Sequence, residues 1–194
     1  YRKVIRTLNE ETRSGKPFFA HVMTVSNHRP FTYPAGKIRI PNDSKSRAGG
    51  VLYTDYALGQ FLAEASKQPW FDNTIFVLLG DHGKLVGNPD SEMPQSYNHI
   101  PLMFYAPALL TAEEKENFGG QIDVAPPLLG MLRINYIQNN LGIDLLKEER
   151  PCMFFSADNM LGVKDTKHFY IYDTESKQEF NYNIHNGTLS PATA

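Results

Sequence analysis

An aspartate and a histidine stand side by side between two glycines at Gly80-Asp81-His82-Gly83. A carboxylate and an imidazole so placed can both reach one cation. The carboxylate neutralises charge, and a neutral imidazole suits transition metals such as zinc or manganese. The flanking glycines let the backbone turn sharply and bring a metal or substrate close. The same residues also fit a capping aspartate beside a surface histidine. What favours the metal reading is the apolar run directly upstream, Thr74 to Leu79 (TIFVLL). A continuous run of strand length, without alternation, predicts a strand covered on both faces in the middle of an α/β sheet. In such sheets ligands bind beyond the carboxyl ends of the strands.

Two further histidines sit at comparable places. Ser26-Asn27-His28-Arg29-Pro30 follows the β-prone run Phe18 to Val25 (FFAHVMTV). His28 and Arg29 are suited to gripping an anionic oxygen, and a positioned histidine can assist a leaving group. A loop histidine beside a solvated arginine is the plainer alternative. His99, in Tyr97-Asn98-His99-Ile100-Pro101, precedes the β-prone run Leu102 to Tyr105 and reaches a carboxyl-end site only if its loop folds back. His21 lies inside the first β-prone run and reads as a hydrogen-bonded core or face residue. His168 and His185 stand in the tail with no partner visible in sequence.

The elements that must position these residues alternate short apolar runs with helical patterns. Between Ala48 and Lys67, Val51, Leu58, Phe61, Leu62 and Ala65 fall on one helical stripe. Gln68-Pro69 stops that helix. Phe31 to Arg47 reads as a long surface excursion, a length uncommon unless functional. Asp123 can cap a helix with Pro126 in its first turn and then Leu128, Leu129 and Leu132. Cys152 to Phe155, His168 to Tyr172 and Glu179 to Tyr182 predict three short strands, an antiparallel edge or meander. The sum is an α/β fold, with an α/β part over about 1–150 and a β-rich edge over about 151–185.

Composition sets outer limits. The 194 residues are enough for one domain with a sizeable core, and 41% hydrophobic with 21% charged residues is ordinary for a globular protein. A formal net charge of -2 argues against nucleic acid as a partner. Cys152 is the single cysteine, which excludes an internal disulfide and a cysteine-built zinc site. The sequence opens on Tyr1, with no signal-like stretch and no apolar run of the roughly 18 residues a membrane span needs. The expectation is a piece of a longer protein, with any membrane anchor upstream.

Five stretches, taken in order, carry a resemblance. They are Lys16-Pro-Phe-Phe-Ala, Ser26-Asn-His-Arg-Pro-Phe, Tyr53-Thr-Asp-Tyr-Ala-Leu-Gly-Gln-Phe, Asn73-Thr-Ile-Phe-Val-Leu-Leu-Gly-Asp-His-Gly, and Gly120-Gln-Ile-Asp-Val-Ala-Pro-Pro-Leu-Leu with the later Leu141-Gly-Ile-Asp-Leu-Leu. Together they resemble the lipoteichoic acid synthase-like phosphoglycerol transferases, within the alkaline phosphatase and sulfatase superfamily. The resemblance runs from about Lys16 to about Asp173. It implies an alkaline-phosphatase/sulfatase-like sandwich, present here in part, with a small antiparallel β region at the carboxyl end. It implies that Asp81 and His82 are metal ligands and that His28 lies beside the substrate phosphate. His99 is similar to a histidine in some relatives, and with His28 and Arg29 makes the expected substrate-binding set. The implied cofactor is a divalent ion, manganese foremost, with zinc, magnesium or calcium as alternatives.

The resemblance also marks what is missing. Family members attack with a threonine, or in sulfatases a modified cysteine or serine, on the N-terminal half of the catalytic domain. Thr24 and Thr54 stand in the wrong segments, and Cys152 lies beyond the metal pair rather than before it. The expectation is a chain that alone is inactive and binds metal weakly. The implied partners are that missing half and a lipid-linked phosphoglycerol or a sulfated or phosphorylated glycan. The implied location is the extracytoplasmic face of a bacterial membrane. Sulfate-ester hydrolysis on the same scaffold is the near alternative, and a non-catalytic glycan-binding remnant the distant one.

Overall fold

Val4, Ile5 and Leu8 recur at helical spacing, and in the computed structural model, which describes residues 1–192, they form one face of helix α1 (Arg2–Thr12). That face packs on α2 (Arg47–Ala65), the helix expected from the stripe at Leu58, Phe61, Leu62 and Ala65. Ser46 starts α2: its Oγ accepts from the Gly49 N–H at 3.1 Å, satisfying one of the free amides of the first turn. Leu8, Ala65, Trp70 and Phe71 are buried as one cluster, with Phe76 and Tyr105 packed against it. Asn9 ties the cluster's rim, taking the Trp70 indole N–H at 2.6 Å and donating to Gln68 at 2.9 Å. Val51, placed on the stripe by its spacing, is exposed instead.

These elements make one of two units, Tyr1–Phe76 with Tyr105–Thr111; the other is Val77–Phe104 with the chain from Ala112 onward. Strands β1 (Phe76–Leu79) and β2 (Leu102–Tyr105) pair antiparallel in a two-stranded sheet, and their outer residues Phe76 and Tyr105 belong to the first unit. The predicted place in the middle of a sheet is not what the described residues give. β1 has one neighbour, and Leu79 at its carboxyl end is 44% exposed.

The carboxyl-terminal meander is larger than the three strands read from sequence. Strands β3 (Met153–Ala157), β4 (Met160–Lys164), β5 (His168–Asp173), β6 (Glu179–His185) and β7 (Thr188–Pro191) form one antiparallel sheet in sequential order. β4 escaped notice because Gly162 interrupts its apolar run. β7 was announced by Asn186-Gly187, whose positive φ angles of 48° and 76° suit the two-residue hairpin turn between β6 and β7. Phe169 and Ile171, two apart on β5, point to one face and are buried with Met93. Phe180 and Tyr182 on the neighbouring β6 flank them, and Phe155 reaches across from β3 to stack on Phe169.

Phe18 to Val25 is the clearest departure. It forms no strand, and Phe19, Met23 and Val25 are 84%, 80% and 72% exposed. β-branched and aromatic residues favour strands because they fit a pleated, half-buried surface, and no described strand supplies that surface here. His21, placed within it, is exposed rather than in a core.

Candidate metal centre

The Asp81-His82 pair leaves the end of β1 through a turn fixed by backbone contacts. The Gly80 N–H donates to the Pro101 carbonyl at 3.1 Å, and the Gly83 N–H to the Tyr97 carbonyl at 2.8 Å. Tyr97 lies in the short helix α3 (Gln95–Asn98), which comes so near that a Cβ on Gly83 would stand 2.0 Å from the Ser96 carbonyl oxygen. Only glycine admits that approach.

Within the turn the two side chains are arranged by their own backbone. The Asp81 Oδ1 accepts from the His82 N–H at 2.9 Å, which turns Oδ2 outward. The His82 Nδ1 lies 2.7 Å from the Gly83 carbonyl oxygen. A carbonyl only accepts, so Nδ1 carries the proton and Nε2 keeps its lone pair. That Nε2 stands 3.8 Å from the Asp81 Oδ2, and both side chains are open to solvent. Two donors at this separation suit a shared small divalent ion, for which each ligand distance is about 2.0–2.2 Å. A second-sphere carbonyl on the far nitrogen is the usual way a metal-binding imidazole is oriented. The donor pair therefore fits a divalent metal. The pair offers two donors only: among the described residues no group of three or more His, Cys, Asp or Glu is placed to hold an ion.

Sequence reasoning missed Gln121. Its Nε2 donates to the Asp81 carbonyl at 2.8 Å and to the Gly80 carbonyl at 3.3 Å. Gln121 opens a single 3-10 turn (Gln121–Asp123) ahead of helix α4 (Ala125–Met131). Asp123 does not cap α4 as predicted. Fully buried, its carboxylate accepts from the Gly120 and Ile143 amides at 2.9 and 2.8 Å and from Arg150 at 2.9 Å (Nε) and 2.5 Å (Nη2). Burial pushes the Asp123 carboxyl up, but the Arg150 hydrogen bonds and the two amides outweigh it and hold the group below its ordinary value. Arg150 is raised in turn. No spacing in the sequence links residues 27 positions apart.

His28 and Arg29 lie in the first unit, in a turn closed by the His28 N–H on the Val25 carbonyl and the Phe31 N–H on the His28 carbonyl, at 3.0 and 2.8 Å. The N-terminal turn of α2 abuts it, since a Cβ on Gly50 would fall 2.8 Å from the Ser26 carbonyl oxygen. The His28 Nδ1 faces the Arg29 carbonyl at 2.8 Å, leaving Nε2 free, and both side chains are exposed. His99, also exposed, follows α3, with its N–H on the Gln95 carbonyl at 2.8 Å; it shares a unit with Asp81 and His82. His168 does have a partner, Asp165, whose Oδ2 is 3.2 Å from its Nδ1.

The family model described as sulfatase matches residues 1–134. The chain belongs to the sulfatase family. Lipoteichoic acid synthase 1 of Bacillus subtilis (strain 168) is 27% identical over 191 aligned residues, covering 87% of this chain and 29% of that protein. Lipoteichoic acid synthase of Staphylococcus saprophyticus is 26% identical over 185, covering 84% of this chain and 28% of its own length. The chain thus spans under a third of these curated relatives. A crystal structure of a protein in the alkaline phosphatase superfamily from Vibrio parahaemolyticus matches all of this chain and 48% of its own, with a TM-score of 0.89 at 26% identity. The expected superfamily fold, with its antiparallel carboxyl-terminal sheet, is therefore the fold observed.

Proposed function

We propose that this chain is part of a divalent-metal-dependent phosphoglycerol transferase, one that moves a phosphoryl group from a lipid-linked donor or acts on a glycan substrate. The observation that carries this reading is the Asp81–His82 pair, with Nδ1 committed to Gly83 and Nε2 facing the Asp81 Oδ2. Lipoteichoic acid synthases match most of the chain and support the substrate class.

In this reading Asp81 and His82 hold one ion, manganese foremost. A divalent ion in such a place supplies charge neutralisation and activates an attacking oxygen. The Arg29 guanidinium matches the geometry of phosphate oxygens, and His28 presents a free Nε2 that takes up a proton when neutral and, as the imidazolium, gives one to a leaving group. His99 contributes a further contact to the substrate. The nucleophile, a threonine, and the remaining ligands belong to a companion half of the catalytic domain. The work is done at the extracytoplasmic face of a bacterial membrane. No helix among the described residues is long and apolar enough to cross one, so the proposed anchor is another segment.

Sulfuric ester hydrolysis is the second reading, favoured by the description of the family itself. The test is turnover by the whole protein of a glycerophospholipid-type phosphodiester and of an aryl sulfate, with and without manganese. Metal-dependent phosphodiester turnover, lost in Asp81→Ala, supports the transferase. Turnover of the sulfate ester alone supports the second reading. Undiminished turnover by Asp81→Ala removes both.

A further inference from the structure

The turn that carries Asp81 and His82 is held from outside by one side chain, and that side chain is itself anchored in the interior. The Gln121 side chain spends both of its described hydrogen bonds on the backbone of this turn, at the Asp81 and Gly80 carbonyls, 2.8 and 3.3 Å away. Its described hydrogen bonds go to neither the carboxylate nor the imidazole. The 3-10 turn that presents it is closed from within, where Asp123 returns its carboxylate to the Gly120 N–H at 2.9 Å and donates its own N–H to the Gly120 carbonyl at 2.9 Å. The buried Asp123–Arg150 pair then locks this turn to the following loop, through the Ile143 amide at 2.8 Å and through the Arg150 contact with the Leu141 carbonyl.

From this chain of contacts we infer that Gln121 is a positioning residue for the Asp81–His82 cation site and that the Asp123–Arg150 pair is its anchor. The inference rests on the metal reading proposed above. Fixing the Gly80 and Asp81 peptide planes fixes the direction in which the Asp81 side chain leaves the chain, and the His82 N–H then sets the carboxylate rotamer. The Gly80 and Gly83 amides tie the two ends of the turn to Pro101 and Tyr97, but the Gly80 and Asp81 carbonyls between them are held by Gln121, and both ligand side chains are solvated. Outer contacts that orient metal ligands typically account for about 10–100-fold in affinity. Gln121 acts through the peptide rather than directly on a ligand atom, so the low end, about tenfold, is expected.

The test is Gln121→Met, which keeps the length of the side chain and removes its donors, beside Asp81→Ala, in the 194-residue chain. Manganese binding is read from paramagnetic broadening of backbone amide signals, a measure that reaches weak sites. Metal-free hydrogen exchange of the His82 and Gly83 amides, and the metal-free melting temperature, are recorded alongside. The expected result is a roughly tenfold weaker manganese affinity in Gln121→Met, faster exchange at His82, and a melting temperature close to that of the parent. If Asp81→Ala abolishes broadening near the turn while Gln121→Met binds as the parent does, the positioning role is overturned and the metal site stands. A lower melting temperature with unchanged affinity overturns it too, by making Gln121 structural only. Broadening that persists in Asp81→Ala places the ion elsewhere, and broadening absent in the parent leaves Gln121 no cation to position in this chain; either overturns the inference.

Discussion

The five-stranded meander and the β1–β2 pair draw on similarly apolar sequence and end differently. β5 has a paired strand on each side, and its Phe169 and Ile171 are essentially closed to solvent. β1 is as apolar but has one paired neighbour, and its last residue, Leu79, stands 44% exposed immediately before Asp81. The meander finds every partner within a few residues along the chain, through short turns such as Asn186-Gly187. The strand that presents the candidate metal ligands does not. The packed sheet and the candidate site therefore lie in different places: the strands of the meander pair with one another, and the β1 end is an open turn held by hydrogen bonds to its backbone.

Truncation in the two sheets should expose this difference most strongly. Phe169→Ala removes a fully buried ring and is expected to cost about 3–5 kcal/mol in urea unfolding. Leu79→Ala, at the exposed strand end, should cost about 1 kcal/mol or less. Equal losses would break the comparison.

The Asp123–Arg150 pair is the next largest effect, because it is the buried element tied to the site turn. Arg150→Met strands a buried carboxylate and is expected to cost about 3 kcal/mol, by the same unfolding measurement. Asp123→Asn in addition should recover part of the loss, since the stranded charge is gone. The pair also fixes a sign for acid stability. The Asp123 carboxyl is held below its ordinary value in the fold, so its contribution is present above the unfolded value of about 3.9 and is lost as the pH falls through the lower folded value. The parent should lose stability at that acid limb, and Asp123→Asn should flatten it.

A smaller effect of opposite sign lies in the meander. Burial, then the hydrogen bond and charge of Glu92, push the Tyr182 phenol up to about 12. A raised value means the contribution is complete below the unfolded value of about 10 and fades as the pH climbs towards about 12. Tyr182→Phe should remove that alkaline dependence and leave the acid limb untouched, which a melting series across pH would show.

How much of this was legible in the sequence follows the same division. Helix α2, strand β2 and three strands of the tail meander, β3, β5 and β6, are readable, because their signals are local: an apolar stripe and short β-prone runs. α1 was missed although Val4, Ile5 and Leu8 mark its face. Phe18 to Val25 was read as a strand and forms none among the described residues, because propensity records fitness for a sheet and not the presence of a partner. At the site, Asp81 and His82 could be singled out from adjacency and from the run before them. Their tautomer and rotamer could not, since these depend on the Gly83 carbonyl and the His82 amide in folded geometry. Gln121 and the Asp123–Arg150 pair join positions far apart in sequence, and Asp123 in particular looked like a helix cap.

The measurement that bears most directly on the account is calorimetric titration of manganese and zinc into the 194-residue chain, beside Asp81→Ala and His82→Ala. The account predicts weak, saturable binding in the parent, lost in both variants, with metal-free melting temperatures unchanged because both side chains are solvent-exposed. Binding of equal affinity in all three proteins would contradict it and place any metal elsewhere.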